Sequence, residues 1–405
     1  MQVTSSHSHS GSLGKSCLVL TLCCLALVIA APAQTLTTIA NFGATTTSRP
    51  SSPLVEGNDG NFYGTTYANA DYGSVFNVTP EGVLTVLHYF DYSDGSGAIG
   101  VILATDGNFY GTTQYGGTND LGTVFKMTPD WTVTTLYNFS GPDGAHPGAG
   151  LVQAADGNLY GTTTAGGTNN SLGTVFKITL KGNLTTLFRF HGTDGKSPNA
   201  ALVQDASGRL YGTTEFGGAH TFGTVFSITT RGRLTSLHSF DTSDGQYPTA
   251  ALFGTADGAF YGTTYGGGNV SKSWCPSGCG TIFKITSAGA FSTLYKFCPN
   301  PSNTPCLDGD GPYGGLIQAT DGNFYGTSSQ GGSANLGVIF KLTPENVLTP
   351  LYDFCTKAFC PDGSLPATAM LQGPNGDLYG TTPAGGNSTY PGTVFSFALG
   401  LPPRH

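Results

Sequence analysis

After residue 33, apolar and polar side chains alternate in short runs, each broken by glycine, asparagine or an Asp-Gly pair. The stretch from Leu151 to Phe190 shows the plan. LVQAADG is a short apolar run that ends in Asp-Gly, a strong hairpin signal. NLYGTTTAGG and GTVFKIT each follow the period of two that a strand requires. LTTLFRF repeats it after a Lys181-Gly182 turn. The unit therefore predicts four short strands joined by tight turns.

That unit recurs. Tyr-Gly-Thr-Thr begins at Tyr63, Tyr110, Tyr160, Tyr211, Tyr261 and Tyr379, and Tyr325 opens the variant Tyr-Gly-Thr-Ser. Successive copies are 47, 50, 51, 50, 64 and 54 residues apart. Four strands at such a period mark a β-propeller blade. The seventh copy stops after GTVFSFALG (392–400), with no fourth strand. LTTIANF (36–42) matches the fourth-strand pattern VTTLYNF (133–139). The expected fold is all-β: one seven-bladed β-propeller, residues 34–405, whose last blade is closed by the N-terminal strand. Closure would also remove the open edges of a linear array.

Composition agrees with this class. Glycine is 61 of 405 residues, and each costs about 1 kcal/mol in a helix interior. Hydrophobic residues make up 38%, enough for a core, while charged residues are only 10%. The net charge of −8 argues against nucleic acid as a partner, because phosphate binding needs clustered Lys and Arg.

Residues 1–33 have the layout of a secretory signal peptide. Lys15 precedes the apolar CLVLTLCCLALVIA (17–30), and Ala31-Pro32-Ala33 offers small residues for cleavage. Fourteen apolar residues fall short of the roughly 20 that span a bilayer, so no membrane span is expected in the mature chain. The expected location is secreted or periplasmic. Six cysteines then remain, an even number that reads as disulfides in an exported chain. Short spacing favours the pairs Cys275–Cys279, Cys298–Cys306 and Cys355–Cys360, with zinc as the competing use of these side chains.

The recurring Tyr-Gly-Thr-Thr, Gly-Gly, Gly-Thr-Val-Phe and Asp-Gly-x-x-Pro resemble the GloVer tandem repeats of exported bacterial proteins, over nearly all of residues 34–400. The resemblance implies a secreted or surface protein and brings no catalytic residues with it. Kelch repeats share the glycine doublet, but this chain has only Trp131 and Trp274 where kelch blades repeat a tryptophan.

In a propeller, inter-blade loops and second-to-third-strand loops share one face. The inter-blade loops repeat an aspartate before glycine: Asp94, Asp143, Asp194, Asp244, Asp308 and Asp362, with Thr46 at the closing position. No cofactor is expected beyond calcium, which a carboxylate ring of this kind would suit, although Asp before Gly commonly bonds the amides of its own turn. Asp308-Gly-Asp310-Gly has half the ligands of a calcium loop. Blade 4 combines Glu215, Phe216 and His220, with His191 and Asp194 in the loop that enters it, a set able to serve acid–base chemistry or to hold a metal. His88 and His238 are expected to pack in outer strands. Tyr67, Tyr72, Tyr115, Phe216, Tyr265, Trp274 and Tyr390 fall on the second-to-third-strand loops, where aromatic rings could stack on sugars.

These features favour a monomeric binding module for a polysaccharide or surface protein, without catalysis. A glycan hydrolase or lyase, and a structural envelope protein, are the competing readings. N-terminal sequencing of the exported protein should begin at Gln34; a chain that retains residues 1–33 would refute the leader assignment.

Overall fold

The computed structural model describes residues 34–43, 49–67, 72–167, 171–270, 275–300, 305–386 and 391–403. The leader and the positions of Thr46, Trp274 and Tyr390 lie outside that set.

Seven antiparallel sheets form a ring, and no helix occurs among the described residues. Blade 4 is typical: Val203–Gln204, Leu210–Thr214, Thr224–Ile228 and Leu234–Ser239 lie side by side in chain order, from the channel outwards. The last blade takes its outer strand from the N-terminus. Leu36–Asn41 pairs with Thr393–Phe397, from Leu36 opposite Phe397 to Asn41 opposite Thr393. The innermost strands differ from the sequence expectation. The LVQAADG run, for example, contributes only Val152–Gln153 to continuous pairing. Its upstream neighbours Gly148, Ala149 and Gly150 turn along the channel wall instead.

The core is divided among the interfaces between blades. Both faces of each central strand are covered by a neighbouring blade, so the second strands read as fully buried rather than half-buried. Each third strand carries a phenylalanine that meets, edge to face, the phenylalanine ending the fourth strand of the blade before it. The pairs are Phe42–Phe76, Phe90–Phe125, Phe139–Phe176, Phe190–Phe226, Phe240–Phe283, Phe297–Phe340 and Phe354–Phe395, with centroids 5.0–5.4 Å apart. Such contacts add about 0.5–1.5 kcal/mol each beyond the area they bury. Phe42 belongs to the N-terminal strand, so it completes this circuit against blade 1.

Tyr-Gly-Thr-Thr is the second strand that makes the circuit fit. Its glycine lies under the third-strand ring: a Cβ on Gly161 would stand 2.5 Å from Cζ of Phe176. Its tyrosine reaches back to the Asp-Gly hairpin, as in Tyr110 to Asp106 at 2.8 Å and Tyr160 to Asp156 at 2.7 Å. In five blades its first threonine donates to a carbonyl on the inner segment of the next blade, as in Thr65 to Ala98 at 3.1 Å and Thr112 to Ala149 at 2.8 Å. Its second threonine bonds the threonine of Gly-Thr-Val-Phe, as in Thr163 with Thr174 at 2.8 Å. All four positions thus have separate tasks.

A bulge adjoins the phenylalanine in every third-to-fourth-strand pair, including the borrowed one, where the register shifts between Thr38 and Ala40. Bulges sharpen twist. Here the twist lets the outer strand swing its terminal ring toward the next blade.

Truncating Phe176 to alanine should cost about 3–5 kcal/mol in urea unfolding, the range for a buried aromatic. A loss under about 1 kcal/mol, the scale of an ordinary surface substitution, would show that the circuit carries little of the stability.

Candidate functional site at the channel mouth

Two positions in each repeat vary while their surroundings stay fixed, and the fold gathers both at one end of the channel. The first is the residue after Tyr-Gly-Thr-Thr: Tyr67, Gln114, Thr164, Glu215, Tyr265, Ser329 and Pro383. Strand alternation places it on the same side as the channel-facing first threonine. The second follows the proline of Asp-Gly-x-x-Pro, or its equivalent: Ser51, Ile99, Gly148, Asn199, Thr249, Tyr313 and Ala367. All seven of this second set line a cavity of about 370 Å³, together with Tyr67, Gln114 and Pro383 from the first.

The cavity floor is small and apolar, made by pairs such as Ala200-Ala201 and Ala250-Ala251. Its polar groups are hydroxyls and amides, and no charged side chain is among the described lining residues. The Tyr67 hydroxyl donates to Oε1 of Gln114 at 2.9 Å, which fixes both side chains across the blade 1–2 boundary. Tyr265 and Tyr313 meet at 6.0 Å with their planes at 81°, and Nε2 of Gln330 donates to the Tyr265 hydroxyl at 3.2 Å. Tyr313 is held above its ordinary pKa, first by burial and next by the charge of Glu215. Burial raises the Glu215 carboxyl as well.

The residues singled out in the sequence do not converge on one centre. The charge of Glu215 acts on Tyr313, whereas His220 is exposed and its charge acts on Asp241. His191 pairs with Asp194 at 3.3 Å and meets the Phe188 ring edge-on at 5.9 Å. Phe216 packs against Tyr247 at 5.3 Å and under the Lys196 ammonium at 5.4 Å. Tyr72 meets Tyr92, and Tyr115 meets His146, each at 5.1 Å and farther out on the face. The aromatics thus form separate pairs. Half of each pair comes from an inter-blade loop that the sequence reading passed over.

The inter-blade aspartates are engaged inside their own loops. Asp94 accepts from the Asp91 amide at 3.0 Å, Asp143 from Ser140 at 2.9 Å, Asp194 from His191 at 2.8 Å and Asp244 from Asp241 at 2.9 Å. Asp308 and Asp362 accept the Cys298 and Cys355 amides, each at 3.0 Å. Their second bond explains the outer-strand histidines. His88 and His238 reach Asp94 and Asp244 at 2.7 and 2.9 Å, where other blades use Tyr137, Tyr295 and Tyr352. They also pack edge-on against Phe90 and Phe240, so packing alone was too narrow an expectation.

The three disulfides pair as spacing implied, with Cα–Cα distances of 5.1, 5.1 and 4.2 Å. Cys275–Cys279 and Cys298–Cys306 lie side by side, their four Sγ atoms within 4.8 Å of one another. Local spacing could not reveal that neighbourhood. They join the core beside Phe297 and Leu316 and tie the loops that lead toward Asp310. Asp310 is only 4% exposed. Burial and the nearby charge of Asp308 push its carboxyl up to about 7, despite the Gly311 amide.

Repetition, ring closure and a mouth built from variable residues define a β-propeller of the tandem-repeat class. The chain belongs to the Gloeobacter/Verrucomicrobia repeat family, whose model matches residues 27–169, 132–307 and 275–400. No curated protein matches the sequence. Among solved structures, the extracellular domain of a hybrid two-component system from B. thetaiotaomicron superposes with a TM-score of 0.59 at 9% identity. The match covers 89% of this chain and 39% of that one, so this chain spans about two fifths of its length. A 6-phosphogluconolactonase candidate from Bacteroides fragilis NCTC 9343 gives 0.50 at 18% identity, covering 79% of this chain and 94% of that one. At these identities the likeness is one of fold. Among the described residues no helix is long and apolar enough to cross a membrane.

The raised Asp310 pKa sets a pH dependence. Because the folded value lies above the unfolded one near 4, wild-type stability is lost as pH rises from about 4 through 7. Asp310→Asn should therefore gain on the wild type in thermal unfolding between about pH 5 and about pH 8. Parallel curves would show that Asp310 does not titrate in this range.

Proposed function

We propose that this protein is an exported propeller that binds a polysaccharide at the mouth of its channel. Residues 1–33 direct export, and residues 34–405 act as one monomeric domain. Three disulfides fit an oxidising compartment. The observation that carries the reading is the chemistry of the mouth. A cavity of about 370 Å³ presents tyrosine rings, amides and hydroxyls over an apolar floor, which suits the C–H faces and hydroxyls of a sugar. Binding is preferred to hydrolysis because a glycosidase sets two carboxyl groups about 5–10 Å apart. No carboxyl group is among the described lining residues.

A polysaccharide array probed with the mature protein tests this directly. Selective binding is expected, and Tyr67→Ala should weaken it at least about ten-fold, or roughly 1.4 kcal/mol. Binding untouched by Tyr67→Ala would move the site off the channel, and an array without signal would reject a glycan ligand.

A further inference from the structure

We infer that the blade 4–6 side of the mouth is an amine subsite, so that the preferred saccharide carries a protonated amino group; this rests on the glycan reading above. Three observations meet there. The Glu215 carboxylate accepts no hydrogen bond from any described residue, although its main-chain amide is tied to the Ser197 carbonyl at 3.1 Å. The cation of the same hairpin, Lys196, lies over the Phe216 ring. Beyond Glu215, Tyr265 and Tyr313 stand nearly perpendicular at 6.0 Å, and Tyr313 is 39% exposed.

Glu215 and Tyr265 take the same repeat position in successive blades, and Tyr313 crosses Tyr265, so a carboxylate and a tyrosine pair share this sector, a set that suits an ammonium group. The rings offer their negative faces, and the carboxylate supplies the countercharge. An uncharged hydroxyl would use neither fully. The geometry is also held in place. The Tyr265 ring packs over Gly311, where an added Cβ would come within 2.8 Å of Cε2, and Gln330 holds its hydroxyl. The opposite side of the mouth lacks this set: Tyr67 is bonded to Gln114, and its blade neighbours at the same ring position are Gln114, Thr164 and Pro383. One rim thus takes the sugar body, and the other selects its substituent.

Two probes that differ at one group decide the matter: a glucosamine hexasaccharide and its N-acetylated counterpart, each titrated calorimetrically into the mature protein at neutral pH. The amine form should bind about ten-fold more tightly, the scale of a desolvated cation–π contact. Glu215→Gln should bring that ratio to within about two-fold, and Tyr313→Ala should lower it as well, with circular dichroism confirming that both variants fold. Equal affinities, tighter binding of the acetylated form, or a ratio that survives Glu215→Gln would overturn the amine subsite and leave the glycan reading standing. No binding of either probe, together with a blank array, would overturn both.

Discussion

The edge-to-face contact between the phenylalanine that ends one blade and the phenylalanine at the centre of the next organises most of this molecule. It needs a ring of fixed height over the second strand, which only glycine permits, as at Gly161 beneath Phe176. It needs the outer strand to twist inward at its end, and the bulge beside each phenylalanine provides that. Seven such contacts must form a closed circuit. Phe42, at the end of the strand that the last blade borrows from the far end of the chain, fills the last place. A linear array of the same units would leave one apolar blade face bare at each end.

Much of this was legible in the sequence because it repeats. Tyr-Gly-Thr-Thr announced the blades, and the orphaned third strand at residues 392–400 announced the closure. The candidate site was less legible, for a physical reason. Its residues occupy positions that the fold leaves free, and free positions carry no period. Glu215 and Tyr265 were visible as loop residues, but Asn199 and Tyr313 were not, although the proline of Asp-Gly-x-x-Pro marks their place in every blade that has it. His88 and His238 misled in another way. A histidine Nε2–H and a tyrosine hydroxyl are interchangeable donors to the same aspartate, yet residue type alone suggests packing for one and polarity for the other.

The division of labour has a simple basis. Most repeats spend their hydroxyls and carboxylates internally: tyrosine on the hairpin aspartate in five blades, threonines on neighbouring strands, the loop aspartate on its own amides. What remains for a ligand is two side chains per blade at the channel mouth. Fourteen positions on a rigid frame allow chemistry to change around the rim without disturbing the circuit beneath it. Tyr67 with Gln114 on one side, and Glu215 with Tyr313 on the other, show how far two sectors of one rim can differ.

The borrowed strand also imposes an order of events on a chain synthesised from its N-terminus. Leu36–Asn41 emerges before any blade exists and must wait, unpaired, until Thr393–Phe397 follows some 350 residues later. Every other blade can assemble from neighbouring segments as they appear. The final step joins the two most distant parts of the sequence, so the ring snaps shut once, late, and as a whole. The same long reach guards the finished protein: the last blade keeps its full four strands, and no third strand is left bare at the closure.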